Sequence, residues 1–168
     1  MDNLITQKGA GQAYINQMNI NSDNGGINLV IFDADTDTET RRSEILKWKQ
    51  DNSLDFELFL FPNDKDTGAL EDLLEQIINS KNSSIFACWN DYEVCLRGSK
   101  IEGRTEPLTT PAKKTKIYGY LEALLGKTRK EKDQIKEANR NYLNADHWNL
   151  SSDALNPLKD FLDKYLKR

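Results

Sequence analysis

Ile27-Asn28-Leu29-Val30-Ile31-Phe32-Asp33-Ala34-Asp35-Thr36-Asp37-Thr38 is the stretch that decides the fold. Leu29, Val30, Ile31 and Phe32, with Ile27 two positions earlier, make a short, partly β-branched apolar run. Such a run predicts a strand buried on both faces. Asp33 and Asp35 arrive where that strand ends, the position at which open α/β sheets gather their ligands. Side chains alternate along a strand, so the spacing predicts that Asp33 and Asp35 share a face. Two carboxylates on one face repel unless a cation lies between them. Hard oxygen donors suit Mg²⁺ or Mn²⁺. The plainer alternative is that both aspartates are solvated turn or helix-cap residues.

Outward from this stretch, Thr36, Asp37 or Thr38 can cap a helix over about 39–51, with Glu39 favoured at its start by the helix dipole. Ile45, Leu46 and Trp48 form its thin apolar stripe. Arg41 and Arg42 fall in its first turns and are candidate phosphate contacts, because guanidinium forks match phosphate oxygens; ordinary surface charge is the alternative. Phe56-Glu57-Leu58-Phe59-Leu60-Phe61 predicts a second strand, and 62–68 a loop. Over 69–79, Leu70, Leu73, Leu74, Ile77 and Ile78 make an amphipathic helical stripe, with Glu71 and Asp72 in its first turn. Strand–helix–strand–helix order predicts βαβ units and a parallel sheet, with the loops after both strands side by side. Asp33, Asp35, Asp64, Asp66 and Glu71 are then expected to converge on one rim.

Before the central strand, Asn3–Thr6 reads as a short edge strand, and the glycines at 9 and 11 as a turn into a helix over about 12–18. Lys8-Gly9-Ala10-Gly11-Gln12 lacks the spacing of a phosphate-binding loop. The second half is mainly helical. Ser84–Leu96 has enough apolar residues for a core face, including Cys88 and Cys95 two helical turns apart, and both thiols are expected to be buried. Ala112–Leu125 predicts a helix opening on Lys113, Lys114 and Lys116 and closing at Gly126. A polar helix follows over 130–142, then Trp148 as a core plug. A last helix runs to Leu166 on Leu155, Leu158, Phe161, Leu162 and Tyr165, with Pro157 tolerated in its first turn. The expected division is an α/β core over 1–80 and a mainly helical extension over 81–168.

Composition narrows the chemistry. The chain has 168 residues, a net charge of −4 and one histidine, His147. One histidine and two cysteines argue against a zinc site and disfavour Cys–His or Ser–His–Asp catalysis. The acidic balance gives no general attraction to nucleic acid, so a polyanion needs a local basic patch or a bound metal. No run approaches the length of a membrane span, and no signal peptide follows Met1. Two thiols in apolar surroundings suit a reducing compartment, and a cytoplasmic protein is expected.

Three pieces together carry a family likeness: Leu29-Val30-Ile31-Phe32-Asp33-Ala34-Asp35, the segment from Phe56 to Leu74, and the tail with its lysine-bearing and leucine-rich helices. The chain resembles the Toprim-like proteins, in particular a bacterial family of unknown function related to the Toprim domains of OLD-type nucleases. The likeness covers residues 25–80 best and the tail more loosely. It implies a Toprim-like parallel sheet flanked by helices, Mg²⁺ or Mn²⁺ held by Asp33 and Asp35, and Glu71 as a further carboxylate with a metal-binding or catalytic role. It also implies a downstream lysine near the site, Lys116 or Lys113, and phosphodiester chemistry on nucleic acid. Toprim domains open with a strand, a glutamate and a helix. No such turn precedes the segment seen here, so the chain is expected to begin late or to be a piece of something longer, without the usual acid/base glutamate. Two further functions stand beside the nuclease-like one. A phosphatase of the haloacid dehalogenase type would use Asp33 as nucleophile and Asp35 as acid/base, although Asp37 replaces the Thr or Val of that pattern. A non-enzymatic module of a repair or defence complex would keep the fold for a protein partner.

Overall fold

Two strands, β1 (Leu29–Asp33) and β2 (Glu57–Phe61), lie side by side and parallel, with Leu29 opposite Glu57 and Asp33 opposite Phe61. This computed structural model describes residues 10–166; the strand expected over Asn3–Thr6 lies outside them. The fold is α/β, a small parallel sheet flanked by helices, with a further helix at the C-terminal end. A parallel pair needs a crossover. Here it is α2 (Thr38–Asp51), which starts at Asp37: the Asp37 carboxylate accepts the Thr40 backbone N–H at 3.0 Å and the Thr40 hydroxyl at 2.7 Å. Ahead of β1, α1 (Ala10–Asp23) is longer than its apolar spacing predicts, and Gly11 sits inside the helix rather than in a turn.

Residues 10–73 and 155–166 form one compact unit and 74–154 a second. The core of the first unit is Val30, Ala34, Ile45, Leu54, Phe56 and Leu60, with Ile15 and Met18 of α1 and Trp48 of α2 packed against it. β1 is not buried on both faces as its apolar run predicts: Val30 is 6% exposed but Ile31 is 36% exposed. With two paired strands among the described residues, one strand face stays partly open. The last helix, α7 (Asn156–Leu166), belongs to this unit. Phe161 meets Phe59 of β2 at 5.3 Å between ring centroids, and the Tyr165 hydroxyl donates to Glu57 Oε2 at 2.6 Å.

After β2 comes α3 (Leu70–Gln76), shorter than its leucine and isoleucine stripe predicts. Ile77 and Ile78 leave the helix because the backbone there pairs with 147–149: Asn149 N–H donates to Ile77 O at 2.6 Å and Asn79 N–H to His147 O at 2.8 Å. In the second unit, α4 (Ser83–Gly98), α5 (Lys113–Leu125) and α6 (Arg129–Ile135) pack around Phe86, Ile117, Tyr120, Leu121 and Trp148. Trp148 is the expected plug, 1% exposed and edge-on to Tyr120. Gly119 lets α5 approach α4, since a Cβ there would sit 2.6 Å from the Trp89 ring. The helix expected over 130–142 stops at Ile135 and continues only as a short turn over Glu137–Asn139.

The cysteine expectation is overturned. Cys88 and Cys95 both lie on α4, yet both are exposed. Apolar residues run all round α4 rather than along one stripe, and Phe86 is its buried residue. No helix of the described residues is long and apolar enough to cross a membrane.

Candidate functional site

Asp33 ends β1, and the backbone beyond it is stitched to the loop after β2. Ala34 N–H donates to Phe61 O at 3.0 Å. Asp35 and Gly68 then exchange both backbone hydrogen bonds, each 2.8 Å, as an isolated antiparallel bridge. The neighbouring loops foreseen from the βαβ order are therefore in register. Each bridge partner has unusual backbone: Asp35 has φ +56° and Gly68 φ +141°. The second conformation favours glycine strongly. A Cβ at Gly68 would also lie 2.6 Å from Asp72 Oδ2, which accepts the Ala69 N–H at 2.8 Å.

This stitching brings the first turn of α3 against β1. Leu70 N–H donates to Asp33 Oδ1 at 2.8 Å. Asp33 is 8% exposed. Burial pushes its carboxyl above the ordinary carboxylate range, the Leu70 hydrogen bond opposes that, and the charges of Glu71 and Asp35 push it up again against a lowering contribution from Arg41. The charges of Glu71 and Asp35 thus both bear on Asp33 at the carboxyl edge of the sheet. Strand alternation is not what joins the two aspartates. β1 stops at Asp33, the backbone turns at Asp35, and the Asp35 side chain is 59% exposed.

Arg41 of α2 stands beside this edge. Its Nε lies 3.7 Å from Asp35 Oδ2, its Nη1 3.5 Å from Glu44 Oε2, and its guanidinium 5.7 Å from the centre of the Phe32 ring. At 3.7 Å the contact with Asp35 is an ion pair without a hydrogen bond. The Arg41 Nε is buried without a hydrogen-bond partner, as is Thr38 Oγ1. Arg42 goes elsewhere: its Nη2 donates to Asp64 Oδ1 at 2.7 Å and to Asp64 O at 2.9 Å.

The expected convergence of five carboxylates is therefore smaller. Asp64 Oδ1 also accepts the Leu60 N–H at 3.0 Å, and Asp66 Oδ2 accepts from Asn63 at 2.7 Å, so both close their own loop. Lys113 and Lys116 belong to the second unit. Lys113 is exposed in the first turn of α5. The Lys116 Nζ donates to Glu75 Oε2 and Asn90 Oδ1, each at 3.1 Å, and lies over the Phe86 ring. The motif reading missed the Leu70 amide and the Gly68 crossing. The Thr67-Gly68 step before an acidic helix start was the signal available for them.

A family model matches residues 5–167 of this chain. The chain belongs to DUF3226, a family described as a protein of unknown function. No curated protein and no solved structure matches it.

The donor set of this DUF3226 edge is tested by what a small hard cation requires. Among the described residues, no group of three His, Cys, Asp or Glu side chains is placed to hold a metal ion. Mg²⁺ asks for less, since it keeps several waters and commonly takes one or two carboxylates plus substrate phosphate. Asp33, with one oxygen engaged by Leu70, and the exposed Asp35 meet that lesser demand in donor chemistry.

Proposed function

We propose that this DUF3226 chain is a Toprim-like protein that binds Mg²⁺ or Mn²⁺ through Asp33 and Asp35, with Glu71 as the adjacent carboxylate, and that the site serves phosphodiester chemistry on nucleic acid. The observation that carries the reading is the Asp35–Gly68 bridge, which brings the charges of Asp35 and Glu71 to bear on a buried Asp33. A divalent ion relieves that repulsion; so does Arg41, but only loosely.

When bound, the cation supplies Lewis-acid stabilisation of charge on phosphoryl oxygens. The chain's own residues do the positioning. The Leu70 N–H fixes one oxygen of Asp33 and so orients the other. Asp35 presents its carboxylate to solvent on a rigid bridge. Arg41, whose Nε lacks a hydrogen-bond partner, is the group suited to take a phosphate oxygen. Lys113 and Lys116 are given no role in this reading; Lys116 is held by Glu75.

Thermal unfolding with increasing MgCl₂ or MnCl₂ tests the cation site. A site filled to about 100 times Kd adds about 2.7 kcal/mol, so Tm rises saturably in the wild type and stays flat in Asp33→Asn/Asp35→Asn. A wild type that ignores both metals overturns the reading. Mn²⁺-dependent nicking of plasmid or single-stranded DNA, lost in the same variant, tests the substrate class.

A second reading is favoured by the pairing of Arg41 with Asp35 and Arg42 with Asp64. An arginine already paired with the acidic edge, as Arg41 is with Asp35, suits a non-enzymatic interaction module. A flat metal titration together with unimpaired folding of Asp35→Asn supports that module.

A further inference from the structure

The second unit holds a small, partly open pocket of about 170 Å³, lined in part by Leu121 and Leu125 and with no acidic side chain. Arg140, His147 and the amides of Gln134, Asn139, Asn141 and Asn144 face it. In a chain of net charge −4, a pocket whose one charged side chain is a guanidinium, with amides beside it, suits a small negative guest.

Arg140 is held in place without being neutralised. Its guanidinium lies 5.1 Å from the centre of the Tyr118 ring and 5.7 Å from that of Tyr142. Its Nη1 donates to the Tyr142 hydroxyl at 3.1 Å and its Nη2 to Ile135 O at 3.2 Å. Both acceptors are uncharged, and the Arg140 Nε is buried with no hydrogen-bond partner. A buried unsatisfied donor calls for an explanation such as a bound ion. The acids nearby are already engaged: Glu137, whose carboxyl is lowered chiefly by its Lys114 hydrogen bond and further by the Arg140 charge, meets Lys114 Nζ at 2.7 Å, and Asp133 meets Lys136 at 2.6 Å.

The amides point the same way chemically. Asn141 Oδ1 accepts the Leu143 N–H at 3.0 Å and Asn144 Oδ1 accepts the Asp146 N–H at 2.9 Å, which leaves their NH₂ groups as donors. The Asn144 NH₂ lies 3.4 Å from His147 Nε2, so that ring nitrogen accepts and the proton sits on Nδ1. Asn139 and Asn144 are the exceptions: the Asn139 NH₂ donates to Asp133, and the Asn144 NH₂ is turned to His147.

We propose that this cavity binds a small tetrahedral oxyanion, inorganic phosphate or the phosphoryl end of a phosphate monoester, through Arg140, Asn141 and His147. The guanidinium, clamped by two tyrosines, loses little freedom on binding, and a phosphate oxygen gives its Nε–H an acceptor. The site uses none of the residues of the carboxylate edge, so it stands or falls apart from the metal reading.

His147 is the one histidine of the chain, so its ring C–H protons are isolated reporters in proton NMR. Sodium phosphate is titrated into the full chain at constant ionic strength without divalent cations. The expected result is a saturable shift of the His147 resonances that an equal ionic strength of chloride does not produce. Asn141→Asp keeps the acceptor for the Leu143 N–H and adds a negative charge to the lining; it should weaken phosphate binding at least tenfold while Tm stays near that of the wild type. Unmoved resonances, a shift matched by chloride, or an unchanged affinity in Asn141→Asp overturns the proposal. A parallel titration with a nucleoside monophosphate separates the two sources. A matching shift assigns the site to phosphate esters, and a shift with inorganic phosphate alone assigns it to the free anion.

Discussion

The backbone N–H of Leu70 donates to the carboxylate of Asp33 at 2.8 Å, joining the end of β1 to the first residue of α3 across 37 positions of sequence. The same carboxyl is raised above the ordinary range, first by burial and then by Glu71 and Asp35. The aspartate is thus useful as an oxygen acceptor and unfavourable as a charge.

That separation predicts opposite outcomes for two substitutions at Asp33. An acid whose carboxyl is raised in the fold is easier to protonate there than in the unfolded chain. Its protonation stabilises the fold as pH falls through the raised value, and that gain is lost as pH rises. Asp33→Asn keeps an oxygen for the Leu70 N–H and removes the charge, so without metal its Tm at pH 7 should equal or exceed that of the wild type, the difference closing in acid. Asp33→Ala also removes the acceptor and should cost about 1 kcal/mol, roughly 2–4 °C in Tm for a chain of this size. An Asn variant melting below the wild type at pH 7 contradicts the assignment.

Asp37, four residues on, should behave with the reverse sign. Its carboxyl is lowered, chiefly by the Thr40 backbone N–H and then by the Thr40 hydroxyl. A lowered acid contributes stability above its unfolded value, and that contribution is lost as pH falls through the folded one. Asp37→Ala should therefore melt below the wild type at neutral pH and converge with it below about pH 4. Melting curves across pH for both variants should show slopes of opposite sign; parallel slopes would count against the capping geometry of α2.

Gly68→Ala tests the stitched loops directly. The new Cβ meets Asp72 Oδ2 at 2.6 Å on a backbone with φ +141°. Strain of this kind costs on the order of 1–3 kcal/mol, and displacing Asp72 also frees the Ala69 N–H. A drop in Tm of roughly 4–10 °C is expected. A metal response, if present in the wild type, should weaken in parallel because Asp35 moves with its bridge partner. A variant as stable as the wild type rules out the bridge as drawn.

Both thiols should be open to reagent. Cys88 and Cys95 are free and exposed, so the native chain should react with two equivalents of an aromatic disulfide reagent at about the rate seen in denaturant. Protection of either thiol until the protein unfolds would restore the buried-cysteine expectation.

Strand–helix alternation made the parallel pair, its crossover helix and the neighbouring loops legible, because burial dictates those patterns directly. The motif Asp33-Ala34-Asp35 located the edge but misdescribed it. The alternation of the strand ends at Asp33, and the turn at Asp35 depends on Gly68, which lies 33 positions further on. Two adjacent arginines shared one expected role, yet on a helix neighbouring residues are about 100° apart, and so Arg41 meets Asp35 while Arg42 meets Asp64. The end of α3 at Gln76 and the burial of Ile77 follow from pairing with 147–149, a contact no local pattern announces. Cys88 and Cys95 were misjudged because hydrophobicity of a segment does not say which face of its helix is covered.

The ring contact between Phe161 and Phe59 and the Tyr165–Glu57 hydrogen bond have a consequence for biosynthesis. Residues 74–154 emerge from the ribosome whole and can fold while translation continues. The unit that contains α1 must wait for α7. A chain interrupted between 154 and 161 therefore leaves the aromatic face of β2 uncovered.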